Sequence, residues 1–120
     1  MRLKSLICLL GICLSQPALA DIEHLVFLWL KPGTSEQVKQ HIIEQSQALA
    51  ELPEVAKVNA GTPVESDRPI VDDSFDIGIV FSFKDKQALN AFAQNPVHLK
   101  FVGTQVKPVL DKILIYDIEH

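Results

Sequence analysis

The chain has 120 residues, of which 48% are hydrophobic, and a formal net charge of −4. This length predicts one compact domain. The excess of acidic over basic residues disfavours nucleic acid or an anionic membrane surface as the main partner, because affinity for either depends on neutralising negative charge.

The first 20 residues are typical of a secretory signal peptide. Two basic residues precede a short apolar run over residues 6–14, and residues 18–20 read Ala-Leu-Ala, a small-x-small cleavage site. The apolar run is far shorter than the ~20 residues that span a bilayer. We therefore predict cleavage after Ala20, a domain over residues 21–120, and a periplasmic or secreted location. Cleavage would remove Cys8 and Cys13, so the mature domain could not use a disulfide.

The run over residues 22–30 predicts the first strand. It is rich in branched and aromatic residues and ends at Lys31-Pro32-Gly33, which marks a turn. His24, Val26 and Leu28 share one face, whereas Phe27 and Trp29 lie on the other. Since both faces are apolar, both should be covered in the folded protein.

A helix should follow this turn, with Thr34 as its N-cap and Gln37 completing a capping box. It should end at Leu52-Pro53, because the residue before a proline is pushed out of the helical region. Residues 55–62 form a weaker strand candidate. The apolar stripe of the helix is expected at these positions: Val38, Ile42, Gln45, Leu49 and Leu52.

Residues 63–74 read as an exposed acidic loop, whose spacing lacks the ordered pattern of a calcium-binding loop. The next segment, residues 75–83, alternates aromatic or branched residues with smaller or polar ones. This alternation predicts a strand with a buried aromatic face. On the opposite face, Gly78 and Ser82 leave room for close packing.

Two short helices and a strand complete the chain. Asp85 should cap a helix that stops near Asn95, and Asn95 should cap a second helix with Pro96 at its first position. Residues 113–118 predict the last strand. The buried side of the second helix is expected at these positions: Val97, Phe101, Val102, Gln105, Val106 and Val109.

The order of these elements predicts an α+β, ferredoxin-like split β-α-β sandwich, with a four-stranded antiparallel sheet and helices on one face. Apolar residues on both faces of three strands indicate that two such sheets meet. We therefore predict a symmetric homodimer that forms a dimeric α+β barrel.

Several segments carry a family resemblance. In chain order they are Glu23 to Leu28 with Lys31-Pro32-Gly33, Leu52 to Val55, Gly61, Phe81 to Phe83, Asn95-Pro96-Val97-His98, and Ile115-Tyr116-Asp117. Through these segments, residues 22–119 resemble the stress-responsive α/β-barrel (Dabb) domain family of the dimeric α+β barrel superfamily. The resemblance implies a dimer with a pocket between sheet and helices. We expect five apolar side chains to line that pocket: Val26, Leu28, Phe81, Phe92 and Phe101.

One plant branch of the family comprises polyketide cyclases that use two histidines and a tyrosine in an aldol condensation. His24 and His98 match the two histidine positions, so the resemblance implies them as catalytic candidates. Phe92 stands where the tyrosine would lie, and a phenyl ring can neither donate nor accept a proton.

Two functional hypotheses follow. The favoured one is an exported homodimer, without established catalysis, that binds a small apolar molecule or serves a stress-related role. The alternative is a cofactor-free, cyclase- or lyase-like enzyme that uses His24 and His98 on a small carbonyl or polyketide-like substrate. We expect no cofactor, no nucleic-acid partner and no stable membrane association. We also expect no metal, since two histidines without a third ligand fall short of a zinc site.

Overall fold

The computed structural model describes residues 21–120, and the predicted signal peptide with its two cysteines lies outside the described residues. The described part contains four strands: β1 (Ile22–Leu30), β2 (Lys57–Gly61), β3 (Ile77–Phe83) and β4 (Leu110–Glu119). It also contains three α-helices: α1 (Glu36–Ala48), α2 (Lys86–Gln94) and α3 (Pro96–Phe101). Within this range no helix combines the length and apolarity needed to cross a membrane.

The four strands form one antiparallel sheet in the order β2-β3-β1-β4. The helices pack on one face of this sheet, over β1, β2 and β3. The element order and sheet order together give a ferredoxin-like α+β fold, which confirms the predicted fold class. Because β4 lies at the sheet edge, its outer edge and much of its surface remain exposed.

The core lies between the sheet and the helices. On β1, every second side chain from Ile22 faces the helices, and Val26 and Leu28 are buried there. The predicted aromatic face of β3 is likewise buried, with Phe81 and Phe83 almost completely covered. The alternation of residues along the sequence therefore predicted correctly which side chains of β1 and β3 face the core.

The predictions for α1 were wrong in two details. Ser35 caps the helix, its hydroxyl accepting a hydrogen bond from the Val38 amide, whereas the hydroxyl of Thr34 donates to the carbonyl of Lys31. The buried face is formed by Ile42, Ile43, Ser46 and Leu49, while Val38 and Gln45 are exposed. The small Ser46 fits against the sheet because its hydroxyl is satisfied by the Ile42 carbonyl at 2.8 Å.

Both predicted caps of the later helices are confirmed, whereas Val97, predicted on the buried side of the second helix, is 55% exposed. The Asp85 carboxylate accepts from the Ala88 amide at 2.8 Å, and the Asn95 side chain accepts from the Val97 amide at 2.8 Å. After α3 the chain widens into a π-helical turn, Val102–Val106, and then tightens into a 3-10 turn, Lys107–Val109. Pro108 lies in this last turn, and helical structure ends at the next residue, because a proline cannot donate the backbone hydrogen bond that would continue it.

The end of the acidic loop packs on the sheet face opposite the helices, instead of remaining wholly exposed. Phe75 precedes β3 and makes an edge-to-face contact with Phe27, with ring centroids 5.1 Å apart. The indole nitrogen of Trp29 donates to the hydroxyl of Ser74 at 3.0 Å. The Asp76 carboxylate also accepts a hydrogen bond from the Leu30 amide at 2.7 Å. These contacts explain why β3 begins at Ile77 and not at Phe75.

Candidate functional site

A cavity of about 360 Å³ lies between the sheet and the helical layer. It is open toward β4, where Ile113 and Ile115 line it while remaining 44% and 46% exposed. All seven residues that the sequence singled out line this cavity: His24, Val26, Leu28, Phe81, Phe92, His98 and Phe101. Strands β1 and β3 supply one wall, and α2, α3 and the π-helical turn supply the other.

His24 is held by a carboxylate from the neighbouring strand. The antiparallel register of β1 and β4 places Asp117 directly opposite His24, and the Asp117 Oδ1 to His24 Nδ1 distance is 2.5 Å. The His24 side chain is 14% exposed and that of Asp117 is 48% exposed. With Nδ1 committed to Asp117, Nε2 is the His24 nitrogen that remains available to a ligand.

His98 is half-buried and, among residues 21–120, forms no ion pair with a carboxylate. It lies in the first turn of α3, and its ring stacks on Phe92 with centroids 4.1 Å apart. Its Nδ1 atom is buried and has no hydrogen-bond partner among residues 21–120. Because Nδ1 has no solvent-accessible surface, a molecule in the cavity can form a hydrogen bond with this ring only at Nε2.

Burial of His98 lowers its pKa below the ordinary value of 6.5, because desolvation penalises the charged imidazolium. The positive charge that His24 can carry lowers this pKa further. The backbone carbonyls of Ala93 and Phe92 oppose the shift, although neither forms a hydrogen bond with Nδ1. His98 is therefore neutral at neutral pH, the state in which an imidazole can act as a base.

Phe92 connects the two histidines. Its ring is 1% exposed and packs edge-to-face against His24, with centroids 6.3 Å apart, in addition to stacking on His98. The same ring contacts Phe81 and Phe83 at 4.7 and 5.2 Å. The position where a phenol was expected from the resemblance thus carries an apolar ring inside an aromatic cluster.

Sequence reasoning did not assign two polar residues of this region. Asp117 was named only as part of the matching segment Ile115-Tyr116-Asp117, and its pairing with His24 depends on the register of β1 and β4. Lys107 lines the far end of the cavity and had no assigned role. Within the described residues, no group of three or more histidine, cysteine, aspartate or glutamate side chains is placed to hold a metal ion.

The family profile of the stress responsive A/B barrel domain matches residues 22–120. The chain belongs to this family. The match covers all four strands and both cavity histidines, and it confirms the resemblance noted from the sequence. Curated proteins gave no significant match to the sequence.

Solved structures share the fold. The chain is similar to the hydroxynitrile lyase from Passiflora edulis, with 22% identity and a TM-score of 0.74 over 87% of this chain and 95% of the lyase. It is also similar to a Dabb family protein from Mesorhizobium loti, with 20% identity and a TM-score of 0.70 over 85% and 98% of the two chains. A dimeric ferredoxin-like protein of unknown function from Jannaschia sp. CCS1 is 26% identical, with a TM-score of 0.67 over 82% and 98%.

Proposed function

We propose that this protein binds a small, largely apolar molecule in the cavity between its sheet and helices. The observation that carries this proposal is the cavity itself, whose apolar lining is interrupted at one end by His24 and His98. Its volume of about 360 Å³ falls in the range of small-molecule sites, which combine apolar walls with a few oriented polar groups. The apolar walls would provide affinity and the imidazoles would orient one polar group of the ligand.

Binding of this kind can be tested by filling the cavity. Val102→Trp places a large ring on a residue that lines it, whereas Val97→Trp adds the same ring to a 55% exposed position on the same helical segment. We expect the purified protein to increase Nile red fluorescence, and Val102→Trp to reduce that increase at least about tenfold. Equal dye binding by both variants, with both still folded by circular dichroism, would contradict the proposal. Native mass spectrometry of the purified protein would show which molecules it retains.

A second candidate function, proton transfer to a small carbonyl compound, is favoured by the contact between His24 and Asp117. The carboxylate of Asp117 orients the His24 ring through Nδ1, while burial lowers the pKa of His98 and favours its neutral form. His98 would remove a proton from carbon or oxygen, and His24 would donate to the developing negative charge. The structural similarity to a hydroxynitrile lyase supports this candidate at the level of the fold. The absence of a hydroxyl at Phe92 weakens the analogy with the cyclases.

The two functions can be separated with a carbon acid. We would follow deuterium incorporation into acetylacetone in deuterated buffer, comparing the protein with His98→Gln and Asp117→Asn. If the protein catalyses proton transfer, deuterium incorporation should be faster with the protein than in buffer alone. The rate should fall about 10²-fold in His98→Gln, while this variant still binds Nile red. A rate equal to that of buffer for the unmodified protein would leave only the binding function.

The protein is further proposed to act as a homodimer through the sheet face opposite the helices. This face carries Leu25, Phe27 and Trp29 on β1 and Leu114 and Tyr116 on β4, and the β4 side chains are exposed in the single chain. The relative from Jannaschia is described as dimeric. Sedimentation at micromolar concentration should give twice the chain mass. Tyr116→Lys should shift the particle to the monomer mass, and a monomeric unmodified protein would contradict this proposal.

Export is proposed on the sequence pattern of residues 1–20, which lie outside the described residues. If the signal peptide is cleaved after Ala20, the protein recovered from the periplasm or medium should begin at Asp21. Ala20→Trp should block cleavage and leave the precursor mass. Recovery of the complete chain from the cytoplasm would contradict this assignment.

A further inference from the structure

The cavity is elongated and has a polar group at each end. Along β1 it runs from His24 to Leu28, four residue steps that cover ~13 Å at ~3.3 Å per residue. The opposite wall runs the same way, because His98 lies in the first turn of α3 and stacks on Phe92, whereas Lys107 lies in the 3-10 turn that ends the helical segment. The Lys107 turn is fixed at the far end by the hydrogen bond from the Lys31 amide to the Val109 carbonyl at 2.8 Å.

The far end of the cavity carries the solvent-exposed Lys107. None of the residues that line the cavity is an aspartate or glutamate, although the chain holds 15 of them. Lys107 forms no ion pair within residues 21–120. Lys31 Nζ donates to the carbonyl of Pro108, the residue after Lys107, at 3.2 Å. In a chain with net negative charge, this basic end is a local exception.

The middle of the cavity between these ends is apolar. Val26, Leu28 and Ile115 form the sheet side, and Phe101 and Val106 form the helical side. An isolated charge placed among these side chains would be strongly disfavoured. A charged ligand group would therefore be positioned at the basic end, where it can be both paired and hydrated.

Resting on the proposed binding function, we propose that the ligand is an elongated carboxylic acid with an apolar chain. Its carboxylate would bind at Lys107, its chain would fill the middle of the cavity, and its far end would reach the two histidines. A hydroxyl or carbonyl oxygen at that far end would form a hydrogen bond with Nε2 of His24, the ring nitrogen that Asp117 leaves available. The ligand would be oriented by the two polar ends of the cavity.

The test compares an acid with the matched alcohol, because the two differ only in the charged group. Displacement of Nile red by decanoate and by 1-decanol gives two dissociation constants for the purified protein and for Lys107→Met. We expect the variant to weaken decanoate binding about fivefold or more, the value of one charged contact at a partly solvated site, and to leave 1-decanol unchanged. Added salt should weaken decanoate binding only in the unmodified protein.

Lys100→Met is the matched control, because Lys100 lies on the same helical segment but faces a groove outside the cavity. This variant makes the same change in net charge and should alter neither ligand. If Lys107→Met weakens both ligands equally or neither, the carboxylate assignment is overturned while the binding function stands. If neither compound displaces the dye and none is bound in a direct calorimetric titration, the binding function fails and the inference fails with it.

Discussion

Phe92 is the residue whose removal should most clearly affect both the core and the candidate site. Its ring is 1% exposed and contacts four other rings: His24, Phe81, Phe83 and His98. A buried aromatic side chain removes roughly 150–250 Å² from water, which at about 25 cal/mol per Å² corresponds to roughly 4–6 kcal/mol. Alanine keeps part of that contribution, so Phe92→Ala should lower the free energy of unfolding by about 3–5 kcal/mol.

Urea unfolding followed by the fluorescence of Trp29, the only tryptophan in the chain, measures this change. Phe92→Leu should lose less, because leucine refills much of the space. Val97→Ala, at a 55% exposed position nearby, should remain within about 0.5 kcal/mol of the unmodified protein. A loss below about 1 kcal/mol for Phe92→Ala would refute the conclusion that this ring joins the sheet to the helical layer.

Three further changes test other parts of the structure. Burial lowers the pKa of His98 in the folded protein, so below about pH 6.5 the unfolded chain binds more protons than the folded one. The free energy of unfolding should therefore decrease as the pH falls through this range. Urea titrations at several pH values should show that His98→Gln removes this part of the decrease. Asp85→Ala should cost about 1 kcal/mol of unfolding free energy whereas Asp85→Ser should not, and equal losses would argue against a capping role. Gly78→Ala would place a Cβ 3.2 Å from the Phe75 ring and should change Trp29 emission, whereas Gly61→Ala, with open space around it, should not.

The sequence predicted most of the fold because its elements carry strong local signals. The alternation through β3 and the caps at Asp85 and Asn95 are properties of short segments, and the structure confirms them. The face of α1 was harder to predict because hydrophobicity alone does not show that the hydroxyl of Ser46 can be satisfied by its own helix. Ser35 replaced the adjacent Thr34 as N-cap for a related reason: both can cap a helix, and only the backbone path decides between them.

The candidate site could be predicted in its members but not in its geometry. The seven residues named from the pattern and the resemblance do line one cavity, although their roles remain proposals. The contact of His24 with Asp117 could not be predicted, because a shift of one residue in strand pairing would turn Asp117 to the opposite face. Lys107 was missed because the π-helical turn changes which side chains of that segment point toward the sheet.

Strand β4 contributes to two surfaces at once. Ile113 and Ile115 line the cavity and Asp117, on the same face, contacts His24, whereas the residues between them, Leu114 and Tyr116, point toward the face proposed to meet a second copy. A backbone shift of this strand would move both sets of side chains together. If a ligand favours one position of β4, ligand binding changes the affinity of the dimer by some factor. Thermodynamic reciprocity then requires that dimer formation change the affinity for the ligand by the same factor. Ligand binding in the cavity of one copy would then change its affinity for the second copy through β4 alone.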